Sequence, residues 1–119
     1  MQNPNYVGNA EILGFIADYA YAELVGPCGI TLCGDAALGL LLIGPDKLYP
    51  PHSHPADEVY LVVAGEAEWR QGSKPWQSRP PASVIHHAPN TAHAMQTAAE
   101  PLLALYAWRS DIDIAASLV

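Results

Sequence analysis

Residues 38–72 read Leu38-Gly39-Leu40-Leu41-Leu42-Ile43-Gly44-Pro45-Asp46-Lys47-Leu48-Tyr49-Pro50-Pro51-His52-Ser53-His54-Pro55-Ala56-Asp57-Glu58-Val59-Tyr60-Leu61-Val62-Val63-Ala64-Gly65-Glu66-Ala67-Glu68-Trp69-Arg70-Gln71-Gly72. Four short apolar or alternating runs, Leu38–Ile43, Tyr49–His54, Val59–Ala64 and Ala67–Gln71, are cut apart by Gly44-Pro45-Asp46, Pro55-Ala56-Asp57 and Gly65-Glu66. Runs of four to eight residues between such turn-formers read as β-strands, because Gly, Pro and Asp supply the backbone angles that reverse a chain. The same punctuation extends outward, giving further strands at Tyr19–Val25, Ile30–Cys33, Ser83–His87, His93–Thr97 and Leu102–Trp108. Eight or nine short strands with tight connections predict an all-β fold, a small barrel or double-sheet jelly roll, which hides most of its sheet edges.

The whole chain has 119 residues, with eleven prolines and nine glycines that leave little room for long helices. The exception lies near the start, where Ile12, Phe15, Ile16 and Tyr19 recur at helical spacing behind Asn9, an N-cap residue type, with Glu11 in the first turn. The expected organisation is therefore a 1–18 segment with a short helix, one barrel over 19–113 and a 114–119 tail. Residues 110–119 are open between a closing helix and a loose tail. The formal charge of −7 repels phosphate backbones, so nucleic acid is not an expected partner. The longest strongly apolar run, Ala36–Ile43, is far below the roughly 20 residues of a membrane-spanning helix. Met1-Gln2-Asn3-Pro4 has neither the basic nor the apolar region of a secretion signal. The expectation is an unprocessed cytoplasmic protein without membrane attachment. Cys28 and Cys33 do not have CxxC spacing and read as ordinary thiols at a turn.

All five histidines fall between residues 52 and 93. Residues two apart on a strand face one side, so His52 and His54 can point together into a barrel; Pro55 bends the chain, and Glu58 and Tyr60 then share a face on the next strand. A third imidazole from His93 would complete a set of three nitrogens and one carboxylate oxygen. That set suits one divalent transition metal, zinc, iron, manganese or nickel, without choosing among them. His86 and His87 are adjacent, so only one can face the interior, and a supporting or surface role is expected for them rather than ligation. Trp69 and Trp76 read as packing residues.

The order His52-x-His54, three residues, Glu58, six residues, Gly65 resembles the first cupin motif, and Pro89, Asn90 and His93 resemble the second. A narrower resemblance is to the cupin-type dimethylsulfoniopropionate lyases. It is carried by Leu48–Tyr60, by His93-Ala94-Met95-Gln96-Thr97, by Pro101–Trp108 and by Tyr19–Pro27, and covers about residues 14 to 113. The resemblance implies a single small cupin, a double-stranded β-helix, with His52, His54, Glu58 and His93 as metal ligands. It also implies cleavage of dimethylsulfoniopropionate to dimethyl sulfide and acrylate, by α-proton abstraction and β-elimination. About 18 residues precede the first strand here, fewer than in many members of that family, which predicts a more open pocket.

Within that chemistry, Tyr60 is the leading base, two residues beyond Glu58 on the same face, and Tyr49 is the alternative base and a substrate contact. Trp108 is the expected platform for the cationic sulfonium, which an aromatic face attracts. Barrels of this kind often pair through an edge strand, so a homodimer is expected. Two other readings fit the same ligands: another metal-dependent cupin enzyme, a dioxygenase or isomerase on a small carboxylate, and a non-catalytic cupin that binds a small ligand. Oxygen consumption would mark the former, and binding without turnover the latter.

Overall fold

The computed structural model describes residues 1–119, the Glu11 side chain excepted. The first-turn placement expected for the Glu11 carboxylate therefore lies outside the described residues. A 3₁₀ turn, Ala10–Ile12, runs into a one-turn helix α1, Leu13–Ile16. Eleven strands follow: β1 Tyr19–Gly26, β2 Thr31–Leu32, β3 Ala36–Ile43, β4 Leu48–Ser53, β5 Asp57–Ala64, β6 Ala67–Gln71, β7 Gln77–Arg79, β8 Val84–His87, β9 His93–Thr97, β10 Leu102–Arg109 and β11 Ser117–Leu118. They form two sheets, β2-β1-β3-β10-β5-β8 and β11-β4-β9-β6-β7, antiparallel throughout except for the β1–β2 pair. Among the described residues, no helix is long and apolar enough to cross a membrane.

Alternation decides which side chains enter the space between the sheets. On β3, Ala37, Leu41 and Ile43 are buried while Leu38 and Leu42 are exposed; on β5, Glu58, Tyr60 and Val62 are buried while Val59 and Leu61 are exposed. With Met95, Leu102 and Ala104 from β9 and β10, these inward positions make one core. Gly65 turns β5 into β6 at φ +81°, and a Cβ there would lie 2.0 Å from the Pro101 carbonyl oxygen, so only glycine fits this turn. Gly39 serves differently: a Cβ would lie 2.3 Å from the Tyr106 hydroxyl, and its absence lets that phenol lie against β3.

Several expected boundaries move. Tyr19 does not continue the helix; the Asp18 amide closes on the Phe15 carbonyl at 2.9 Å and Tyr19 opens β1. Only Thr31–Leu32 of the expected Ile30–Cys33 strand pairs, and His54 lies just past the end of β4. Two strands were not expected. β7 is the polar Gln77-Ser78-Arg79, which extends only because Ala67–Trp69 of β6 offer a ladder edge. Residues 110–119 form neither a helix nor a loose tail along their whole length, since β11 pairs with Ser53 and His52 of β4. The chain's start is tied to the same place: Asn3 Nδ2 and Asn5 Nδ2 both donate to the Ala116 carbonyl, at 3.0 and 3.1 Å. Tyr6, which carried no pattern signal, is completely buried.

Candidate metal centre and substrate cavity

His54, Glu58 and His93 are all buried, and each offers one ligand atom within 4.8 Å of the others. The parts come from both sheets: Glu58 from β5, His93 from β9, and His54 from the Pro55 turn that carries the chain between sheets. Glu58 Oε1 lies 3.1 Å from His54 Nε2 and 3.3 Å from His93 Nε2, the latter outside hydrogen-bond alignment. His52 falls outside this triplet but pairs with His93 across the β4–β9 ladder, its ring centroid 4.2 Å away. The structure thus brings three of the four expected ligands together and sets the fourth beside them.

The tautomers of these imidazoles follow from their backbone partners. Nδ1 of His52 lies 2.8 Å from the Pro50 carbonyl, Nδ1 of His54 3.0 Å from the Ala56 carbonyl, and Nδ1 of His93 2.8 Å from the Thr91 carbonyl. A carbonyl oxygen only accepts, so each Nδ1 carries a proton, which leaves Nε2 as the ring atom available to a metal. The Nε2 side of His54, that of His93 and a Glu58 carboxylate oxygen gather in one buried group, with His52 beside it. The buried Nε2 of His93 has no hydrogen-bond partner at all. A divalent transition metal fits this donor set of imidazole nitrogens and a carboxylate oxygen. Burial first, and the neighbouring His93 next, pull the His52 imidazole well below its usual value, which keeps it neutral. For Glu58, burial alone would raise the carboxyl, but its contacts with His54 and His93 prevail and hold it low.

The other oxygen, Glu58 Oε2, accepts the indole N–H of Trp108, whose ring also stacks on His54 at 4.1 Å. Trp108 was expected as a sulfonium platform; the structure places it beside the candidate ligands, bonded to Glu58 and stacked on His54. His87 faces inward and is fully buried, whereas His86 is exposed and sits 2.6 Å from Asp57, which in turn accepts from Arg109 at 2.9 Å. His87 stacks on His93 at 3.9 Å and 9°. Gln71 Nε2 approaches its Nδ1 at 2.9 Å, leaving the proton on Nε2. Burial first, then His93, drags His87 down to about 3, so it stays a neutral buttress behind His93.

Tyr49 and His52 are three residues apart, which strict alternation would place on opposite faces. Both are buried, and their rings stack at 3.7 Å and 8°. The reason is a β-bulge. Tyr49 pairs with Met95 and His52 with His93, so three steps on β4 oppose two on β9. The extra residue falls at Pro50-Pro51, neither of which has an N–H to give to a ladder. The Tyr49 hydroxyl meets that of Tyr6 at 2.7 Å. Tyr60 is buried on the Glu58 face and packs edge-on against Trp69 at 5.0 Å. Burial pushes both phenols well above their ordinary value, reinforced by Tyr19 at Tyr49 and by the Glu58 charge at Tyr60.

A cavity of about 400 Å³ opens onto His52, His54, Glu58, Tyr49, Tyr60 and Trp108. It is also lined by residues that the sequence reading did not single out, Glu23, Tyr21 and Tyr106, and by parts of both ends of the chain, Met1–Pro4, Ile112, Asp113, Ala115 and Ala116. The negative charge of Glu23 bears on both phenols, contributing after burial to their upward shifts. Only the alternation of β1 opposite Gly39 could have pointed to Glu23.

Comparison with known proteins narrows what this arrangement is. A family model described as dimethylsulfoniopropionate lyase matches residues 3–104. The chain is 31% identical over 110 residues to the dimethylsulfoniopropionate lyase DddQ of Ruegeria pomeroyi, covering 92% of this chain and 55% of that protein. It is 36% identical over 92 residues to the putative lyase DddL of Cereibacter sphaeroides, covering 76% of this chain and 38% of that one. The chain therefore spans about half the length, or less, of the curated relatives it matches. The crystal structure of Ruegeria pomeroyi DddQ superposes with a TM-score of 0.91 over 96% of this chain and 58% of the other. A cupin family protein with a double-stranded β-helix fold from Methanocaldococcus jannaschii, 10% identical, superposes at 0.65 over 76% of this chain and 79% of its own. The two facing sheets are thus a cupin barrel. With the family model running from the N-terminal segment into β10, the chain belongs to the dimethylsulfoniopropionate lyase family.

Proposed function

We propose that the protein is a metal-dependent carbon–sulfur lyase that cleaves dimethylsulfoniopropionate to dimethyl sulfide and acrylate. The observation that carries this reading is the convergence of imidazole Nε2 atoms and the Glu58 carboxylate beneath two buried tyrosines. A divalent metal, zinc, iron, manganese or nickel, held by His52, His54, Glu58 and His93, would supply a Lewis acid for the substrate carboxylate, where negative charge develops as the α-proton leaves.

The remaining steps belong to the chain's own groups. Tyr60 as phenolate takes the α-proton, the C–H electron pair becomes the new C=C bond, and the β-carbon–sulfur bond breaks with its pair leaving on dimethyl sulfide. Because burial raises the phenols of Tyr60 and Tyr49, either ionises near neutral pH only where positive charge in the site offsets that cost. Tyr60, sharing a strand face with Glu58, is the first choice as base. Tyr49, stacked on His52 and oriented by Tyr6, is the second, and otherwise contacts substrate. Trp108 holds Glu58 and walls the cavity, and Tyr106 with Glu23 offers an aromatic face and a negative charge to the sulfonium end. We further infer a cytoplasmic homodimer.

The test is headspace dimethyl sulfide from purified protein given dimethylsulfoniopropionate, after loading separately with zinc, manganese, iron and nickel. Release that depends on metal and disappears in His54→Ala is expected. No release from fully metal-loaded protein would overturn the reading.

A further inference from the structure

A second concavity lies where the two sheets part. β7 ends one sheet and β8 ends the other, so each of these consecutive strands has an unpaired edge. Between them and β6 opens a cleft of about 280 Å³, whose lining shares no residue with the cavity over His54 and Glu58. Trp69 and Ile85 bring buried side chains to it, whereas Lys74, from the β6–β7 hairpin, and Val84 are exposed. The chain carries five basic residues against twelve acidic ones, yet Lys74 and Arg79 both line this cleft, and no Asp or Glu is among its described lining residues. His86 lines it too, but its imidazole is engaged by Asp57 at 2.6 Å. A further cation is held close by, since Arg70 Nε donates to the Lys74 carbonyl at 2.9 Å. Two N–H donors of the lining residues have nothing to donate to. Trp69 Nε1 and Arg79 Nε are buried and, among the described residues, without a hydrogen-bond partner, although Arg79 Nη2 donates to Gln77 Oε1 at 2.5 Å. Buried donors without acceptors are costly, and two of them at one cleft call for an acceptor from outside the chain.

We infer that this cleft is a binding site for a small organic carboxylate, separate from the metal centre. An ionised carboxylate only accepts, and the indole, guanidinium and ammonium groups gathered here only donate. Lys74 and Arg79 supply the positive charge, and Trp69 and Arg79 the N–H groups that lack partners. The rest of the lining includes Pro75, Val84 and Ile85. That apolar wall suits a short hydrocarbon chain behind the carboxylate, and it suits a bare phosphate or sulfate poorly, because such an ion loses water there without gaining a donor. The volume sets the size. It falls just under the roughly 300 Å³ at which pockets for drug-sized ligands begin, so the occupant is an acid of a few carbons. Gln71 is common to the cleft and to the packing of the metal centre. Its Nε2 donates to the His86 carbonyl at 2.5 Å and approaches His87 Nδ1 at 2.9 Å, and His87 stacks on His93. One side chain therefore joins the two sites.

The experiment titrates propionate into the isotopically labelled, zinc-loaded protein and follows the Trp69 indole N–H by nuclear magnetic resonance, its signal identified by elimination with Trp76→Phe and Trp108→Phe. A saturable shift of that signal is expected. Arg79→Gln should raise the propionate dissociation constant at least about tenfold, as expected when a charged donor is lost. Lys74→Gln should weaken binding in the same direction, and because Lys74 is exposed on a hairpin it decides the matter if Arg79→Gln does not fold. His54→Ala, which removes a candidate metal ligand, should titrate like the wild type, so the outcome is independent of the proposed lyase activity. Absence of a saturable shift would overturn the proposal. So would wild-type affinity in the folded Lys74→Gln and Arg79→Gln variants. Loss of the shift in His54→Ala would also overturn it, placing the propionate in the metal cavity, where Tyr60 packs against Trp69 at 5.0 Å. Inorganic phosphate is the second arm, and tighter binding of phosphate than of propionate would refute the carboxylate assignment.

Discussion

Replacing Trp108 by Phe separates two roles that one indole could play. Phenylalanine keeps a ring for the stack on His54 and an aromatic wall for the cavity, and removes only the N–H that Glu58 Oε2 accepts. Glu58 is 2% exposed, and its other oxygen already faces His54 and His93, so no water replaces the lost donor cheaply. A hydrogen bond to a buried carboxylate is worth about 1.5–3 kcal/mol, and each 1.4 kcal/mol is tenfold in an equilibrium constant. The expected loss is therefore about 10- to 100-fold in metal affinity, in line with substitutions of groups that orient metal ligands. Competition against a chelating dye measures it directly. A sulfonium platform, by contrast, would show itself mainly in KM, with metal affinity intact. Metal binding by Trp108→Phe within about threefold of wild type would refute the anchoring role.

Three further outcomes are expected. Tyr60→Phe should lose at least about 100-fold in kcat at full metal content, with a smaller loss for Tyr49→Phe; the reverse order in a dimethyl sulfide release assay would move the base to Tyr49. Glu23→Gln should raise KM about fourfold, since a unit charge at about 5 Å in water is worth roughly 0.8 kcal/mol, and leave metal affinity alone; an unchanged KM would remove Glu23 from substrate recognition. Deleting Pro51 removes the extra bulge residue while leaving Tyr49 and His52 on one face, so metal binding should survive, whereas deleting Ser53 makes His52 and His54 adjacent and should abolish it. Equal loss of metal in both deletions, measured by metal analysis, would show that face parity does not govern the site.

Much of the barrel was readable because its strands are short, alternating and bounded by Gly, Pro and Asp. The β5 strand is the clearest instance: a period of two places Glu58, Tyr60 and Val62 inward without reference to any neighbour. Alternation could also say that one of His86 and His87 faces inward, but not which; the ladder did, pairing His87 with Glu58 and His86 with Val59. The polar β7 and the two-residue β11 carry no pattern of their own, and they become strands only because a partner strand offers them hydrogen bonds.

The chemistry of the site divides in the same way. Residue identity and local spacing singled out the candidate metal-binding groups and the tyrosine beside them, because His52, His54, Glu58 and Tyr60 lie within nine residues and their relative placement is a local matter. What depended on distant parts of the chain was decided by tertiary structure. The bulge that turns Tyr49 onto the His52 face is visible only against β9. The hydroxyl of Tyr6 reaches Tyr49 only after the N-terminal segment has docked beside Ala116. Trp108 meets Glu58 because β10 lies beside β5 in that register. Hydrogen bonds and packing across forty or more residues depend on register and sheet order, which local spacing does not encode.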